Sequence, residues 1–155
     1  MRTIILSSVL NVLIPLFIIF AIFMLFRGHD RPGGGFIAGL IVAIPFMVNA
    51  MAFGAKHTQQ KFLIKPFFII PIGLLLATLS GIFAFVLKQP FLSALWSVYK
   101  FPVIGKVGTP TIFDIGVFLI VSGGVLQITF MVINEDKKES NIKEGHDEKE
   151  IDKEI

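Results

Sequence analysis

The sequence predicts an all-α integral membrane protein with four transmembrane helices and a short interfacial helix between the third and the fourth. Its 155 residues are 54% hydrophobic, its mean hydropathy is +0.81, and 17 residues are Phe. Only 16% of the residues are charged, against about 25% in an ordinary soluble domain. The charges also lie outside four long apolar blocks, which is typical of a chain that folds in a bilayer.

The four uncharged blocks predict the four spans. They contain 24, 24, 22 and 20 residues, and a hydrocarbon core about 30 Å thick needs about 20 helical residues. Backbone groups in lipid must form their hydrogen bonds within their own segment, so each block is predicted to be a helix. We expect these helices near residues 4–26, 36–55, 66–87 and 111–133.

Prolines mark each of the predicted helices. Pro15, Pro45 and Pro71 lie inside spans, where each removes one backbone donor and is expected to bend its helix. The pair Thr109 and Pro110 is typical of a helix start, with an N-cap residue followed by proline at the first helical position. This pair is predicted to open the fourth span.

Small residues recur every four positions in the second and third spans. This spacing is typical of membrane helices that approach closely. The sequence leaves open whether the packing partners lie in this chain or on another protein. The residues are Gly35, Gly39 and Ala43 in the second span, and Gly73, Ala77 and Gly81 in the third.

The segment between the third and fourth spans, residues 88–108, is too polar and too broken to cross a membrane. Trp96 and Tyr99, the only Trp and the only Tyr of the chain, lie here. Their rings prefer the headgroup zone of a bilayer. Apolar side chains at helical spacing therefore predict an interfacial helix near 91–99: Phe91, Leu95, Val98 and Tyr99.

Two units are predicted, a four-helix membrane domain over residues 1–134 and a charged tail over residues 135–155. Nine of the 11 acidic residues lie in the tail. It cannot bury a core, and we expect it to be disordered or a solvated helix.

Four spans place both termini on one side of the membrane. Because six Lys or Arg flank the spans on that side and five on the other, both termini are predicted to be cytoplasmic.

The composition excludes several functions. The absence of Cys removes disulfides, thiolate metal sites and Cys nucleophiles. The basic residues are single loop charges, so a pI near 9.3 does not indicate a nucleic-acid partner. His29 is predicted on one side of the membrane, and His57 and His146 on the other. We therefore expect no metal site, no cofactor and no catalytic residues, and we do not expect an enzyme.

The first loop contains three consecutive glycines, Gly33, Gly34 and Gly35. A phosphate-binding loop would need a preceding strand and a Lys followed by Ser or Thr, and both are missing. A tight re-entry into the membrane explains the loop better. Pro32 fixes one turn there, and the glycines permit unusual dihedral angles and a close backbone approach. A metal or proton-relay role for His29 with its acidic neighbour is the alternative.

Asp114 is the one ionisable side chain predicted within a span. An acid there indicates a function, since a charge in lipid is costly. Asp114 also lies about one turn inside a helix N-terminus, where the helix dipole favours a carboxylate. A role in an ion path and a role as a structural anchor both stay open. Other polar residues of the spans are expected to form hydrogen bonds between helices: Asn11, Asn49, Thr78, Ser80 and Gln127.

The first loop resembles the GHxxPGGGFxxGL signature of the MrpB/MnhB subunit family of bacterial Mrp (Mnh) multisubunit sodium/proton antiporters. A second match covers Thr109 to Gly124 and includes Pro110, Asp114 and Gly116. The resemblance extends over about residues 1–134. In the first loop the signature falls on His29, Pro32, Gly33, Gly34, Gly35, Phe36 and Gly39.

This resemblance implies a multi-pass subunit in the bacterial plasma membrane, working with other antiporter subunits to export Na⁺ in exchange for H⁺. It also implies a role in complex assembly and in pH homeostasis. In such a subunit the spans border the sodium route, with Asp114 as the ion-path candidate. The alternative is a purely structural subunit of an Mrp-like or hydrogenase-related membrane complex, with no ion-path role.

Overall fold

The computed structural model describes residues 2–27, 32–60, 66–90, 92–101 and 105–154. Five helices and one β-hairpin make up these residues. In chain order they are α1 (Arg2–Arg27), α2 (Gly35–Phe53), α3 (Ala55–Gln59), α4 (Pro66–Val86), β1 (Trp96–Phe101), β2 (Gly105–Gly108) and α5 (Thr109–Glu154).

Four of the helices are long and apolar enough to cross a membrane, which confirms the predicted number of spans. Their ends lie within a few residues of the predicted limits. The apolar segments are Ile5–Arg27 of α1, Gly35–Phe53, Pro66–Val86, and Thr109–Asp136 of α5.

The centre of the bundle is α5. It packs against α4 and α2, whereas α1 packs mainly against α2. Phe130 of α5 is 2% exposed and lies in an apolar cluster with Leu126. Ala43 and Ala50 of α2 and Ala55 of α3 complete this cluster, and the small side chains let α2 and α5 approach closely.

The small residues of α2 and α4 find their partners on α5, within the same chain. A methyl group on Gly39 would lie 3.0 Å from the Phe118 carbonyl oxygen, and one on Gly73 would lie 2.7 Å from the Gly116 carbonyl oxygen. Real Cβ atoms hardly ever come this close, so the glycines are needed where the backbones meet. The packing question that the sequence left open is thereby settled for these positions.

The segment between the third and fourth spans differs from the prediction. An antiparallel hairpin replaces the expected interfacial helix, with Trp96 opposite Gly108 and Phe101 opposite Gly105. Leu92 has a φ of 62°, which interrupts any helix there, and the following aromatic and β-branched residues favour a strand. Among the described residues the short helix is instead α3, which lies between the second and third spans.

The end of α4 is a Schellman motif, which fixes where the third span stops. Lys88 adopts the left-handed conformation with φ 59°, and its N–H donates to the Phe85 carbonyl at 3.0 Å. The Gln89 N–H donates to the Ala84 carbonyl at 3.2 Å. This pair of bonds satisfies carbonyls at the helix end.

The predicted tail continues α5 as helical backbone as far as Glu154. Helical structure is one of the two states expected for these residues. The division of the chain into a membrane domain and a separate tail stays a prediction.

Candidate functional site

The candidate site lies where the first loop re-enters the bundle. The Gly34 N–H donates to the Met24 carbonyl near the end of α1 at 3.0 Å, and the Gly34 carbonyl accepts from the Ala38 N–H of α2 at 3.1 Å. One residue thus links the end of the first span to the start of the second. The signature residue His29 lies outside the described residues.

Gly34 has an unusual backbone conformation. Its φ is 99° and its ψ is 177°, a combination that essentially only glycine adopts. The middle glycine of the predicted re-entry therefore has a conformational reason to be glycine.

The re-entry packs directly on the second and third turns of α5. A methyl group on Gly34 would lie 3.3 Å from Oδ2 of Asp114. A methyl group on Gly35 would collide with the Asp114 carbonyl oxygen and would lie 3.0 Å from the Phe118 nitrogen. The glycine motif and the acidic residue, which are about 80 positions apart in the sequence, therefore form one site.

Asp114 is half-buried, at the sixth position of α5. It therefore lies in the second turn of that helix, beyond the first turn in which the aligned peptide dipoles act most strongly on a charge. Such a group can attract a cation or hold the helix start in place. Within the part of the chain that the structure describes, no group of three His, Cys, Asp or Glu could hold a metal ion.

The start of α5 is tied by Thr109 to the loop that precedes β1. Its hydroxyl accepts from the Leu95 N–H at 3.0 Å and donates to the Ser93 carbonyl at 3.2 Å. The helix begins at Thr109 itself, which was predicted to be the N-cap residue before it. The Thr109 side chain bonds the preceding loop instead of capping its own helix. The Thr111 hydroxyl accepts from the Gly108 N–H at 3.3 Å, as the second half of a capping box does.

A cavity of about 250 Å³ lies beside this helix start. Its two hydroxyl groups donate to carbonyls of the protein, Ser80 to Ala77 at 2.7 Å and Thr109 to Ser93. The remaining lining is apolar and comes from Leu92, Pro110 and Phe113. Such a lining does not provide the oxygen ligands that Na⁺ requires, so the cavity is not the candidate ion site.

The polar residues of the spans mostly bond within their own helices. Thr78 donates to the Leu74 carbonyl at 2.8 Å, and Ser80 also bonds within α4. Asn49 instead donates to the Thr58 hydroxyl of α3 at 2.7 Å, and both side chains are buried. No sequence pattern singles out Thr58, because it lies among polar residues of a connecting segment.

The other signature residues take different places. Phe36 is 59% exposed at the outside of the bundle, and Pro32 is also exposed. Gly33 is half-buried. Gly39 and Gly116 are buried in contacts with α5 and α4 respectively. The signature therefore divides into residues that pack the bundle and residues at its surface.

Comparison with known proteins gives one consistent family. The family described as "Domain related to MnhB subunit of Na+/H+ antiporter" matches residues 5–127. The B subunit of the Na⁺/H⁺ antiporter of Bacillus subtilis is 33% identical over 121 residues, which are 77% of this chain and 85% of the relative. The corresponding B subunit of Alkalihalophilus pseudofirmus is 27% identical over 135 residues, covering 86% of this chain and 94% of that one.

Two further relatives are much longer chains. The probable K⁺/H⁺ antiporter A/B subunit of Rhizobium meliloti is 35% identical over 117 residues, which are 74% of this chain and 12% of that protein. In the solved structure of the Mrp complex from Dietzia sp. DQ12-45-1b, one chain matches with a TM-score of 0.73 and 25% identity. The match covers 85% of this chain and 14% of the Dietzia chain.

Proposed function

Because the chain belongs to the family of domains related to the MnhB subunit of Na⁺/H⁺ antiporters, we propose that it is a small membrane subunit of a heteromeric antiporter. The complex exports sodium in exchange for protons and lies in the bacterial plasma membrane. The matched relatives that are named as B subunits support this reading, since the chain covers most of their length.

Within this complex, Asp114 borders the cation route. The observation that carries this proposal is the packing of Gly34 and Gly35 on Asp114. The contact holds the carboxylate of a span at the point where the chain re-enters the bundle. A fixed negative charge near the membrane surface raises the local concentration of cations.

The second candidate is a subunit that only supports assembly. The collision of a Gly35 methyl group with the Asp114 backbone favours it, because that contact would be needed for packing even if the carboxylate were neutral. Replacing Asp114 by Asn separates the two candidates, since Asn keeps the shape of the side chain and removes its charge.

The test begins with purification of the complex through a tag on this chain and identification of the proteins that come with it. If no other antiporter subunit is recovered, the proposed function is wrong. Proton exchange is then measured in membrane vesicles with Na⁺ and, separately, K⁺ as the added cation. The second cation is included because one relative is named as part of a probable K⁺/H⁺ antiporter.

For the Asp114→Asn complex we expect an unchanged set of subunits and weaker exchange, most visibly at low sodium. The matched control is Asp136→Asn, an exposed acid at the other end of the same span, which should leave exchange unchanged. Full activity of Asp114→Asn at every sodium concentration would contradict the ion-path role, and only the structural role of Asp114 would remain.

A further inference from the structure

The first span has the least internal packing of the four. Of its most apolar window, 17% is buried, against 28 to 33% in the other three spans. One face of α1 carries residues at spacings of four, four and three, which lie above one another on a helix. This face, the α1 seam, consists of Asn11, Pro15, Ile19 and Ile22, and all four are exposed.

The seam contains a polar group that the described part of the chain does not satisfy. The Asn11 side chain is exposed, and no hydrogen bond joins its amide to another described residue. Asn11 lies six residues after the start of the span at Ile5, which is about 9 Å along the helix. It therefore faces the hydrocarbon or a partner, and an amide in hydrocarbon without a hydrogen bond is unfavourable.

Pro15 adds a second polar group at the same level. An α-helical carbonyl accepts from the N–H four residues later, and for the Asn11 carbonyl that residue is Pro15, which has no N–H. The backbone carbonyl of Asn11 thus loses its usual donor within α1, at the same level as its side-chain amide. The lipid tails offer none, whereas a polar side chain on a neighbouring helix does.

We propose that the α1 seam is the docking surface for a transmembrane helix of another antiporter subunit, which places a hydroxyl, amide or carboxyl side chain against Asn11. The proposal rests on the proposed function, which supplies the other subunits. The isoleucines below Asn11 provide the apolar part of the interface, and the polar contact sets its register. In bilayers such contacts between helices orient one span on another.

The experiment compares Asn11→Leu and Asn11→Gln with the wild type, by the amount of other subunits purified per tagged chain. If Asn11 bonds a partner helix, Asn11→Leu lowers this amount about threefold to tenfold, the range expected for one hydrogen bond between helices. Asn11→Gln keeps the amide and retains at least part of the assembly. If Asn11 faces lipid, Leu is the better residue there, and the amount stays equal or rises, which overturns the proposal.

The matched control is Thr78→Val, which removes an exposed hydroxyl of α4 that already bonds its own helix. It should leave the amount of copurified subunits unchanged. The level of the tagged chain in the membrane is measured for each variant, so that poor insertion is distinguished from lost assembly. If even the wild type recovers no other subunit, the proposed function is wrong. If the wild type recovers other subunits and Asn11→Leu recovers the same amount, only the proposal for the α1 seam is wrong.

A cross-link identifies the occupant. The natural chain has no Cys, so Ile19→Cys provides a single attachment point for a photoreactive maleimide on the seam of the assembled complex. We expect a cross-link to a membrane span of another antiporter subunit that carries a polar side chain. A product that joins two copies of this chain, or reaction with lipid alone, would overturn the proposal.

Discussion

Gly73 of α4 and Gly116 of α5 face one another where the two helices cross. A methyl group on either glycine would lie 2.7 Å from the carbonyl oxygen of the other. The reciprocal contact brings the backbones of the third and fourth spans together without intervening side chains. This crossing therefore sets the position of α4 against the helix that carries Asp114.

Gly116→Ala is expected to destabilise the protein by about 1–3 kcal/mol, the usual cost of inserting a group into a packed interior. The added methyl group also lies 2.8 Å from the Ala77 nitrogen, so backbone must move. The control is Gly124→Ala in the same helix, whose methyl group would have no neighbour within 4 Å. Thermal unfolding in detergent measures both, and an equal melting temperature for the two variants would contradict the crossing.

Gly34→Ala is expected to lower the amount of folded chain and of assembled complex. Its conformation costs a residue with a Cβ about 1–3 kcal/mol, and the methyl group presses on the Asp114 carboxylate. Gly34→Leu should have a larger effect. Gly33→Ala is the control, because Gly33 does not have a positive φ and can accept a Cβ without backbone strain. Normal assembly with lost exchange in Gly34→Ala would instead indicate a direct part in the ion route.

Lys88→Gly is expected to stabilise the protein by about 1 kcal/mol, because glycine adopts the left-handed conformation of a helix C-terminus without steric cost. The neighbouring Gln89→Gly should give no such gain, since Gln89 has no positive φ. Both variants are compared with the wild type by thermal unfolding. A lower melting temperature for Lys88→Gly would show that the side chain contributes more than its backbone strain costs.

Thr109→Val is expected to cost about 1–3 kcal/mol, since it removes the hydroxyl that bonds both Ser93 and Leu95 and leaves their backbone groups to find other partners. Thr111→Val removes one longer bond and should cost less. Hydrogen exchange of the Leu95 amide reports the change locally. Unaltered protection there would show that Thr109 does not link α5 to the loop that precedes β1.

Both termini are expected on the cytoplasmic side, as the distribution of Lys and Arg predicts. A reporter that is active only in the cytoplasm should therefore be active when it is fused after Lys138. Activity of a reporter that works only outside the cytoplasm would reverse the orientation and would place the Gly34–Asp114 contact on the inner side.

The sequence predicted the four spans because long uncharged blocks have one stable form in lipid, the helix. It also singled out both Gly34 and Asp114, although it treated them as separate features. Their contact depends on how α2 crosses α5, and residue spacing within each helix contains no such information. The hairpin was missed because apolar residues in this segment happen to recur at helical spacing: Phe91, Leu95, Val98 and Tyr99. The left-handed backbone at Leu92, which interrupts a helix, cannot be read from the residue pattern.

The central position of α5 has a consequence for biosynthesis. A ribosome delivers α1, α2 and α4 to the membrane before α5, yet α4 packs chiefly against α5. Until the last span is inserted, the third has glycine-lined backbone but no helix to receive it. We therefore expect nascent chains that stop before Thr109 to fold incompletely and to be degraded by membrane proteases. Insertion of α5 is then the step at which the four-span bundle can complete its packing.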